Sequence, residues 1–238
     1  MLLALLVPAV AAAQAQTLEL IGQIGSRSVL LVLHATQRDD GGSHLTGEYV
    51  VLPTLARRFL EGERGPELGA TSLREGTSAI FFGRPPTGEL RGTLREGSFR
   101  GVRLGPGGQE RERFDFSDEF PPMDGWSAAV RCEATEGRYA SQLELAVDAG
   151  RLKSLDWRSR VAPSGHACRV NGLEQQPERG GLRFAAAGCA VTLRDLGEFV
   201  KVAAAGCSAQ CASEAWLEPL LVDRRGRCRL LRPEVRQP

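Results

Sequence analysis

The apolar residues of this chain come in short runs separated by turn residues. Examples are residues 28–36 (SVLLVLHAT) and 44–52 (HLTGEYVVL), with the turn signal Asp39-Asp40-Gly41-Gly42 between them. Similar runs recur at spacings of about ten residues, and none keeps a helical period over three turns. This pattern is typical of antiparallel strands joined by tight turns, so we expect a mostly β protein.

The first residues have the character of an export signal. Residues 1–13 (MLLALLVPAVAAA) are apolar and are followed by Ala13-Gln14-Ala15, a small-residue cleavage site. We therefore predict a signal peptide over residues 1–15, although the basic residues that usually precede such a segment are missing. No later apolar run is long enough for a membrane-spanning helix. Lys153 and Lys201 are the only lysines among 30 basic residues, a bias typical of GC-rich bacterial genomes. We expect a bacterial protein of the periplasm or the outside medium.

The cysteines divide the chain, because all six lie at or after Cys132. Residues 16–120 are predicted to form a cysteine-free antiparallel meander, either a barrel or a sandwich. Residues 121–125 (PPMDG) disfavour both helix and central strand and are predicted to be a linker. Residues 126–238 are predicted to form a smaller, disulfide-bonded, β-rich domain. One short helix is expected at residues 208–218, with Ser208 as its N-cap.

Six cysteines in an exported chain predict three disulfide bonds, which can be paired in fifteen ways. The cysteines are Cys132, Cys168, Cys189, Cys207, Cys211 and Cys228. Cys168 and Cys189 lie symmetrically about residues 177–180, so we expect them to pair across a long hairpin. Within a helix, Cys207 and Cys211 would be too far apart to pair with each other. Each would then have another partner, and Cys211–Cys228 is favoured.

Two chemical roles compete with the structural one for the cysteines. His166 and Cys168 could join Cys207 and Cys211 as four zinc ligands. Cys207 and Cys211 could also act as a redox pair, but three residues separate them instead of the usual two. Oxidation outside the cytoplasm competes for the thiolates, so we expect disulfides and no metal site.

No motif of a known catalytic class is present in the sequence. Serine-hydrolase elbows, zinc-protease motifs and phosphate-binding glycine loops are absent, and no cofactor is expected. Only three histidines are available, and His166, in the loop sequence Pro163-Ser164-Gly165-His166, is the best functional candidate. The acidic pair Asp39-Asp40 and the acidic residues near 115–119 favour solvated turns and strand ends over a catalytic pair.

The most biased segment lies near the C-terminus. Its arginines are Arg224, Arg225, Arg227, Arg229, Arg232 and Arg236. Guanidinium groups bind phosphate or carboxylate, so this patch could recognise an anionic glycan, a lipid or an acidic envelope protein. The alternative is a strand over residues 227–231 with exposed arginines on one face. The net charge of the whole chain is only +1, which does not favour nucleic acid.

These observations favour an exported envelope protein that binds or inhibits a partner and has no catalytic activity. Two alternatives stay open. One is a periplasmic hydrolase that uses paired carboxylates, and the other is a small-ligand carrier whose β meander closes around a cavity. The oligomeric state is not indicated.

Overall fold

The computed structural model describes residues 16–52, 54–66, 69–77, 85–212 and 215–231. The predicted signal peptide and Arg232 lie outside these residues. The chain forms two compact units. The first comprises the chain up to Val50 together with Ala56–Phe116, and the second comprises Val51–Leu55 together with the chain from Ser117 onward. The prediction of a mostly β fold is confirmed, whereas the division into domains at residues 121–125 stays a prediction.

The first unit is a barrel whose eight strands follow one another in sequence order. The strands are β1 (Gln16–Ile24), β2 (Arg27–Gln37), β3 (Ser43–Val51), β4 (Ala56–Arg64), β5 (Ala70–Gly76), β6 (Gly88–Arg95), β7 (Ser98–Leu104) and β8 (Glu110–Ser117). Between the two architectures expected for the meander, the structure has the closed one. Closure leaves no free sheet edge in this unit.

Side chains fill the interior of the barrel. Alternate residues of a strand point inward, and these positions are mostly apolar. In β5, the buried residues Thr71, Leu73 and Glu75 alternate with exposed neighbours. Several of the barrel's apolar residues are at most 1% exposed: Leu20, Leu31, Leu33, Leu45, Leu73, Leu90, Phe99 and Phe116. At Gly22 of β1, a Cβ atom would lie 1.9 Å from the carbonyl oxygen of Asp115 in β8. Glycine therefore allows the first and last strands to approach each other.

A buried carboxylate near the end of β5 is held by four hydrogen bonds. The side chain of Glu75 is 0% exposed, and its two oxygens accept from Nε and Nη2 of Arg103 at 2.8 and 2.9 Å. The hydroxyl groups of Tyr49 and Thr87 also donate to these oxygens, at 2.9 and 3.1 Å. Burial alone would raise the pKa of Glu75, but the hydrogen bonds and charge of Arg103 hold it below its ordinary value. Glu75 is therefore an ionised, fully bonded group inside the barrel.

The same network extends toward the surface. Nη1 of Arg103 donates to Glu112 at 3.3 Å, and Nη2 of Arg27 pairs with the same carboxylate oxygen at 2.6 Å. Arg58 lies 3.6 Å from Glu75. These residues belong to strand ends that meet at one end of the barrel, where β1 joins β2 and β7 joins β8. Ion pairs therefore occupy this end of the barrel.

The second unit contains two antiparallel sheets that pack around one core. The four-stranded sheet has the order β12-β11-β10-β9, and the six-stranded sheet has the order β13-β14-β15-β16-β17-β18. Their strands are β9 (Ala128–Glu136), β10 (Tyr139–Asp148), β11 (Arg151–Val161), β12 (His166–Asn171), β13 (Glu174–Gln176), β14 (Leu182–Ala186), β15 (Cys189–Asp195), β16 (Phe199–Ala205), β17 (Leu220–Asp223) and β18 (Cys228–Leu230). Trp157 of the first sheet and Phe184 of the second are both 0% exposed in this core. Met123, within the predicted linker, is 2% exposed and belongs to the same core.

Three disulfide bonds connect the second unit, and no cysteine is free. Cys132–Cys228 joins β9 to β18, Cys168–Cys211 joins β12 to a loop, and Cys189–Cys207 joins β15 to a short 3₁₀ helix, Cys207–Gln210. The prediction of three disulfides is confirmed. Disulfides persist in oxidising compartments, so the three bonds indicate a protein that resides outside the cytoplasm.

The two favoured pairings, Cys168–Cys189 and Cys211–Cys228, are wrong. Cys168 lies on the four-stranded sheet and Cys189 on the six-stranded sheet, so no hairpin places them opposite each other. The chain instead turns at Ala187 and Gly188, and Cys189 begins the next strand, β15.

One short helix is present, as expected, but it does not extend over residues 208–218. It is the 3₁₀ helix Cys207–Gln210, which follows the left-handed Gly206 and has no side-chain cap from Ser208, and the described residues 211–212 and 215–218 are not helical. Cys211 is extended, because it bridges to Cys168, and the amide of Ala212 donates to the carbonyl of Ala167 at 2.9 Å. Pairing with β12 therefore ends the helix. No helix among the described residues is long and apolar enough to cross a membrane.

Candidate binding cleft

A cleft of about 400 Å³ opens in the second unit where both sheets contribute strand ends. Its lining residues come from the start of β9, from β16, and from the turn between β17 and β18: Trp126, Ser127, Ala128, Ala129, Val130, Val200, Val222, Asp223, Arg224, Arg225 and Gly226. Val130, Val200 and Val222 are at most 9% exposed and belong to the core, so they form an apolar floor. The arginines and Asp223 lie at the rim, which gives the cleft an apolar base and a polar edge.

The turn that carries the arginines is fixed by its own aspartate. The amide of Asp223 donates to the carbonyl of Arg227, and the amide of Gly226 donates back to the carbonyl of Asp223, both at 2.9 Å. Gly226 has a φ of 77°, the left-handed conformation that such a hairpin turn requires. Oδ1 of Asp223 also accepts from the amides of Arg225 and Arg227 at 2.9 Å each. The turn is therefore rigid before any ligand binds.

Two arginines of the predicted patch are neutralised by carboxylates. Nη2 of Arg224 lies 2.8 and 3.0 Å from the two oxygens of Asp195, and its Nε donates to the carbonyl of Gly197 at 2.9 Å. Nε of Arg227 donates to Asp223 at 2.7 Å. Backbone and side-chain hydrogen bonds from Arg227 hold the pKa of Asp223 below its ordinary range, so this carboxylate stays ionised.

The other arginines of the patch differ in their surroundings. Arg225 and Arg229 are exposed, and neither forms an ion pair with another described residue. Only Arg225 of these two lines the cleft. Arg232 lies outside the described residues. The described part of the patch is therefore less basic than its sequence suggests, and the guanidinium group of Arg225 lies at the cleft without an ion-pair partner among the described residues.

The opposite wall is positioned by backbone hydrogen bonds around Trp126. Its amide donates to the carbonyl of Met123 at 3.0 Å, and its carbonyl accepts from the amide of Gly150 at 2.8 Å. Oγ of the adjacent Ser127 accepts from the amide of Ala149 at 2.8 Å. These contacts fasten the entry of β9 to the turn between β10 and β11, so the indole of Trp126 lines a preformed wall.

One disulfide lies next to both walls of the cleft. Cys132 follows Val130 by two residues, and Cys228 follows Gly226 by two residues. The bond joins β9, at one edge of the four-stranded sheet, to β18, at one edge of the six-stranded sheet. The bond therefore cross-links the two strands that continue from the walls of the cleft.

The structure places His166 away from this cleft. It begins β12, which lies at the opposite edge of the four-stranded sheet from β9. Within residues 16–231, as far as they are described, no cluster of three His, Cys, Asp or Glu side chains could hold a metal ion. The proposed functional role of His166 stays a prediction.

The acidic residues singled out in the sequence have turn or surface roles. Oδ1 of Asp40 accepts from the amide of Gly42 at 2.9 Å within a turn. Asp115 forms an exposed ion pair with Arg100 at 2.9 Å. Neither arrangement is a pair of carboxylates across a cleft, which glycoside hydrolysis requires.

Two groups of residues escaped sequence reasoning. The burial of Glu75 could have been predicted, because it alternates with the inward-facing residues Thr71 and Leu73 of β5. A buried carboxylate requires hydrogen-bond or ion-pair partners. Trp126 and Val200 gave no signal, because the cleft joins segments that are far apart in sequence.

The fold and the cleft define a class of all-β protein with a closed barrel, a disulfide-linked sandwich and a preformed surface site. No protein-family model, curated protein or solved structure matches the chain. Its chemistry is therefore read from its own residues. An apolar floor beside the exposed guanidinium group of Arg225 suits a ligand that combines an apolar group with a carboxylate or phosphate.

Proposed function

We propose that this protein is an exported, non-catalytic binding protein whose cleft captures an acidic segment of an envelope protein, in the manner of an enzyme inhibitor. The observation that carries the proposal is the exposed guanidinium group of Arg225, which has no ion-pair partner among the described residues, beside the apolar floor of a preformed cleft. A partner segment would place an apolar side chain on the floor and a neighbouring carboxylate against Arg225.

The apolar floor supports binding because it offers surface that a partner can remove from water. Each square ångström of buried apolar area contributes about 25 cal/mol before the costs of association. The wall at Trp126 adds an aromatic side chain, a residue type that often dominates binding energy.

The rigid rim supports the proposal in a second way. Asp223 fixes the turn and Asp195 fixes Arg224, so few rotamers have to be ordered when a partner binds. Arg225 has no competing ion pair among the described residues and can form a bidentate contact with a carboxylate. Arg224, already paired, would orient the turn rather than provide the charge.

We also propose that residues 1–15 are a signal peptide and that the mature chain begins at Gln16. The compartment would then be the periplasm or the outside medium of a bacterium. Expression of the full chain in a bacterial host, followed by fractionation and N-terminal sequencing, should find a mature chain starting at Gln16. A chain retained in the cytoplasm with Met1 would contradict export.

Binding is tested by capture from bacterial envelope extracts at physiological salt, with mass spectrometry to quantify each captured protein. We compare the wild-type chain with Arg225→Ala and with Arg160→Ala, which removes an exposed arginine from β11 in the other sheet. We expect at least one protein to be captured by the wild type and by Arg160→Ala, and to fall about tenfold or more with Arg225→Ala.

The captured protein is then purified and its affinity is measured with the same three chains. Equal affinity for the wild type and Arg225→Ala would contradict a role for the cleft. If no protein is captured by the wild type, the binding function itself is contradicted. No described residue gives specific support to the hydrolase or to the carrier, and both stay predictions.

A further inference from the structure

We infer that the Cys132–Cys228 disulfide is a redox modification site, reduced by a dithiol before the other two bonds, and that its reduction loosens the cleft. The inference concerns the bond itself and does not depend on what the cleft binds. Three features carry it: burial, position and neighbouring charge.

The three disulfides differ in their access to solvent. Cys132 and Cys228 are both only partly buried at the margin of the core. Cys189 and Cys207 are 0% and 8% exposed, so no thiolate can approach their bond without local unfolding. The third bond is intermediate, because Cys168 is 2% exposed while its partner Cys211 is partly buried. Thiol–disulfide exchange needs direct access to a sulfur atom, so access favours Cys132–Cys228.

Position determines what reduction does. The bond connects edge strands of different sheets, so among the described residues no backbone ladder joins β9 to β18. Cys189–Cys207, by contrast, joins residues next to the paired strands β15 and β16. Breaking Cys132–Cys228 therefore removes the covalent link between the walls of the cleft, while the ladders within each sheet remain.

Neighbouring charge favours one direction of attack. Cys228 lies between Arg227 and Arg229, and Asp223 offsets one of these charges. Cys132 lies between Arg131 and Glu133, and Arg131 is paired with Glu144. The more positive surroundings of Cys228 stabilise its thiolate, which makes Cys228 the better leaving group.

The step is an ordinary disulfide exchange with a dithiol reductant. A thiolate of the reductant attacks Sγ of Cys132, the Cys132–Cys228 bond breaks, and Cys228 leaves as a thiolate. The second thiol of the reductant then attacks the mixed disulfide and releases Cys132. The reductant ends as a disulfide, and its two protons and two electrons end on the two cysteine thiols.

The test is graded reduction of the native protein with dithiothreitol. Samples are quenched with N-ethylmaleimide at intervals, digested without further reduction and analysed by mass spectrometry. We expect Cys132 and Cys228 to be labelled about tenfold faster than Cys168 and Cys211, with Cys189 and Cys207 slowest. Simultaneous labelling of all six cysteines, or earlier labelling of either other pair, would overturn the inference.

Loosening of the cleft is measured on the protein with only this bond reduced and alkylated, by hydrogen exchange. Peptides covering residues 126–130 and 222–230 should exchange faster than in the oxidised protein, while peptides of β14 and β15 should not change. The variant Cys132→Ser/Cys228→Ser provides the same comparison without an alkyl group. Unchanged exchange at the cleft in both forms would show that the bond does not control it.

Discussion

The first unit, the barrel, and the second unit, a sandwich of two sheets, protect their sheet edges in different ways. In the barrel, β8 and β1 meet and no edge remains, and the unit contains no cysteine. The sandwich has open sheets, and three of its cysteines, Cys132, Cys168 and Cys228, lie on the edge strands β9, β12 and β18. Free edges expose unpaired backbone groups and invite wrong pairing. Cross-links are therefore found where backbone pairing ends.

The two units also differ in how deeply their ion pairs are buried. The barrel buries an ionised carboxylate, Glu75, against Arg103. Acid–base pairs of the sandwich are nearer the surface, as with Asp156, whose hydrogen bonds from Arg158 and Arg169 lower its pKa to about 2. The described barrel therefore contains a fully buried ionised carboxylate, whereas the sandwich is cross-linked by covalent bonds.

The largest effect should come from complete reduction. Reduction and alkylation of all six cysteines should destabilise the sandwich by roughly 2–4 kcal/mol for each bond, because each bond limits the entropy of the unfolded chain. All three tryptophans, Trp126, Trp157 and Trp216, lie in the second unit, so their emission reports on it alone. We expect the emission midpoint in urea to fall sharply.

Hydrogen exchange of barrel peptides gives the matched measurement on the same reduced sample. Protection within residues 16–50, 56–64 and 88–116 should remain close to that of the oxidised protein. An equal loss of protection in both units would contradict the claim that the disulfides stabilise the second unit alone.

Glu75→Gln should give a smaller loss of stability, and this loss should fall on the barrel instead of the second unit. This change leaves the guanidinium of Arg103, whose side chain is 15% exposed, without its main counter-charge, a loss that costs about 3–5 kcal/mol in fully buried pairs. Because Arg103 keeps a hydrogen bond to Glu112, we expect about 2–3 kcal/mol here. The loss should appear in the exchange of barrel peptides, with the tryptophan midpoint unchanged.

Glu89→Gln is the control for this substitution. Glu89 also lies on a barrel strand and is paired, but its partner Arg91 is 62% exposed. Exposed ion pairs contribute at most about 1 kcal/mol, so the barrel should lose little. Equal losses for Glu75→Gln and Glu89→Gln would show that burial of the pair has no special role.

The smallest effect is a pH dependence of the barrel. The pKa of Glu75 is lower in the folded protein than its ordinary value of 4.5, so its contribution to stability is present above that value. The contribution is lost as the pH falls through the folded pKa. The difference in barrel stability between the wild type and Glu75→Gln should therefore narrow between pH 6 and pH 3. If the difference in the free energy of unfolding stays constant over this range, the pKa of Glu75 does not change when the barrel unfolds.

The sequence was sufficient for the strand pattern, because alternation and turn residues act locally. The number of disulfides also followed from the cysteine count together with the predicted signal peptide. The pairing did not, because residues 182–193 read as one long strand and concealed the turn at Ala187 and Gly188. The turn at Asp195-Leu196-Gly197 joins β15 to β16, and the register of this hairpin places Ala190 opposite Ala205. That register brings Cys189 toward Cys207, a signal that was available.

The cleft lay beyond sequence reasoning for a different reason. Along the sequence, its walls near Trp126 and Arg225 are separated by almost the whole second unit. Only the packing of the two sheets brings them together in space. Likewise, the arginine-rich segment reads as basic, yet Asp195 and Asp223 neutralise two of its members. Local sequence does not reveal a partner supplied by another strand.

The three disulfides have a consequence for how the chain can be assembled. They are concentric along the sequence: Cys189–Cys207 lies inside Cys168–Cys211, which lies inside Cys132–Cys228, with separations of 18, 43 and 96 residues. The entropy lost on closing a loop grows with loop length, and each inner bond shortens the loop that the next bond must close. Oxidation can therefore proceed outward from the centre without threading any loop through another, and in this order the bond beside the cleft would close last.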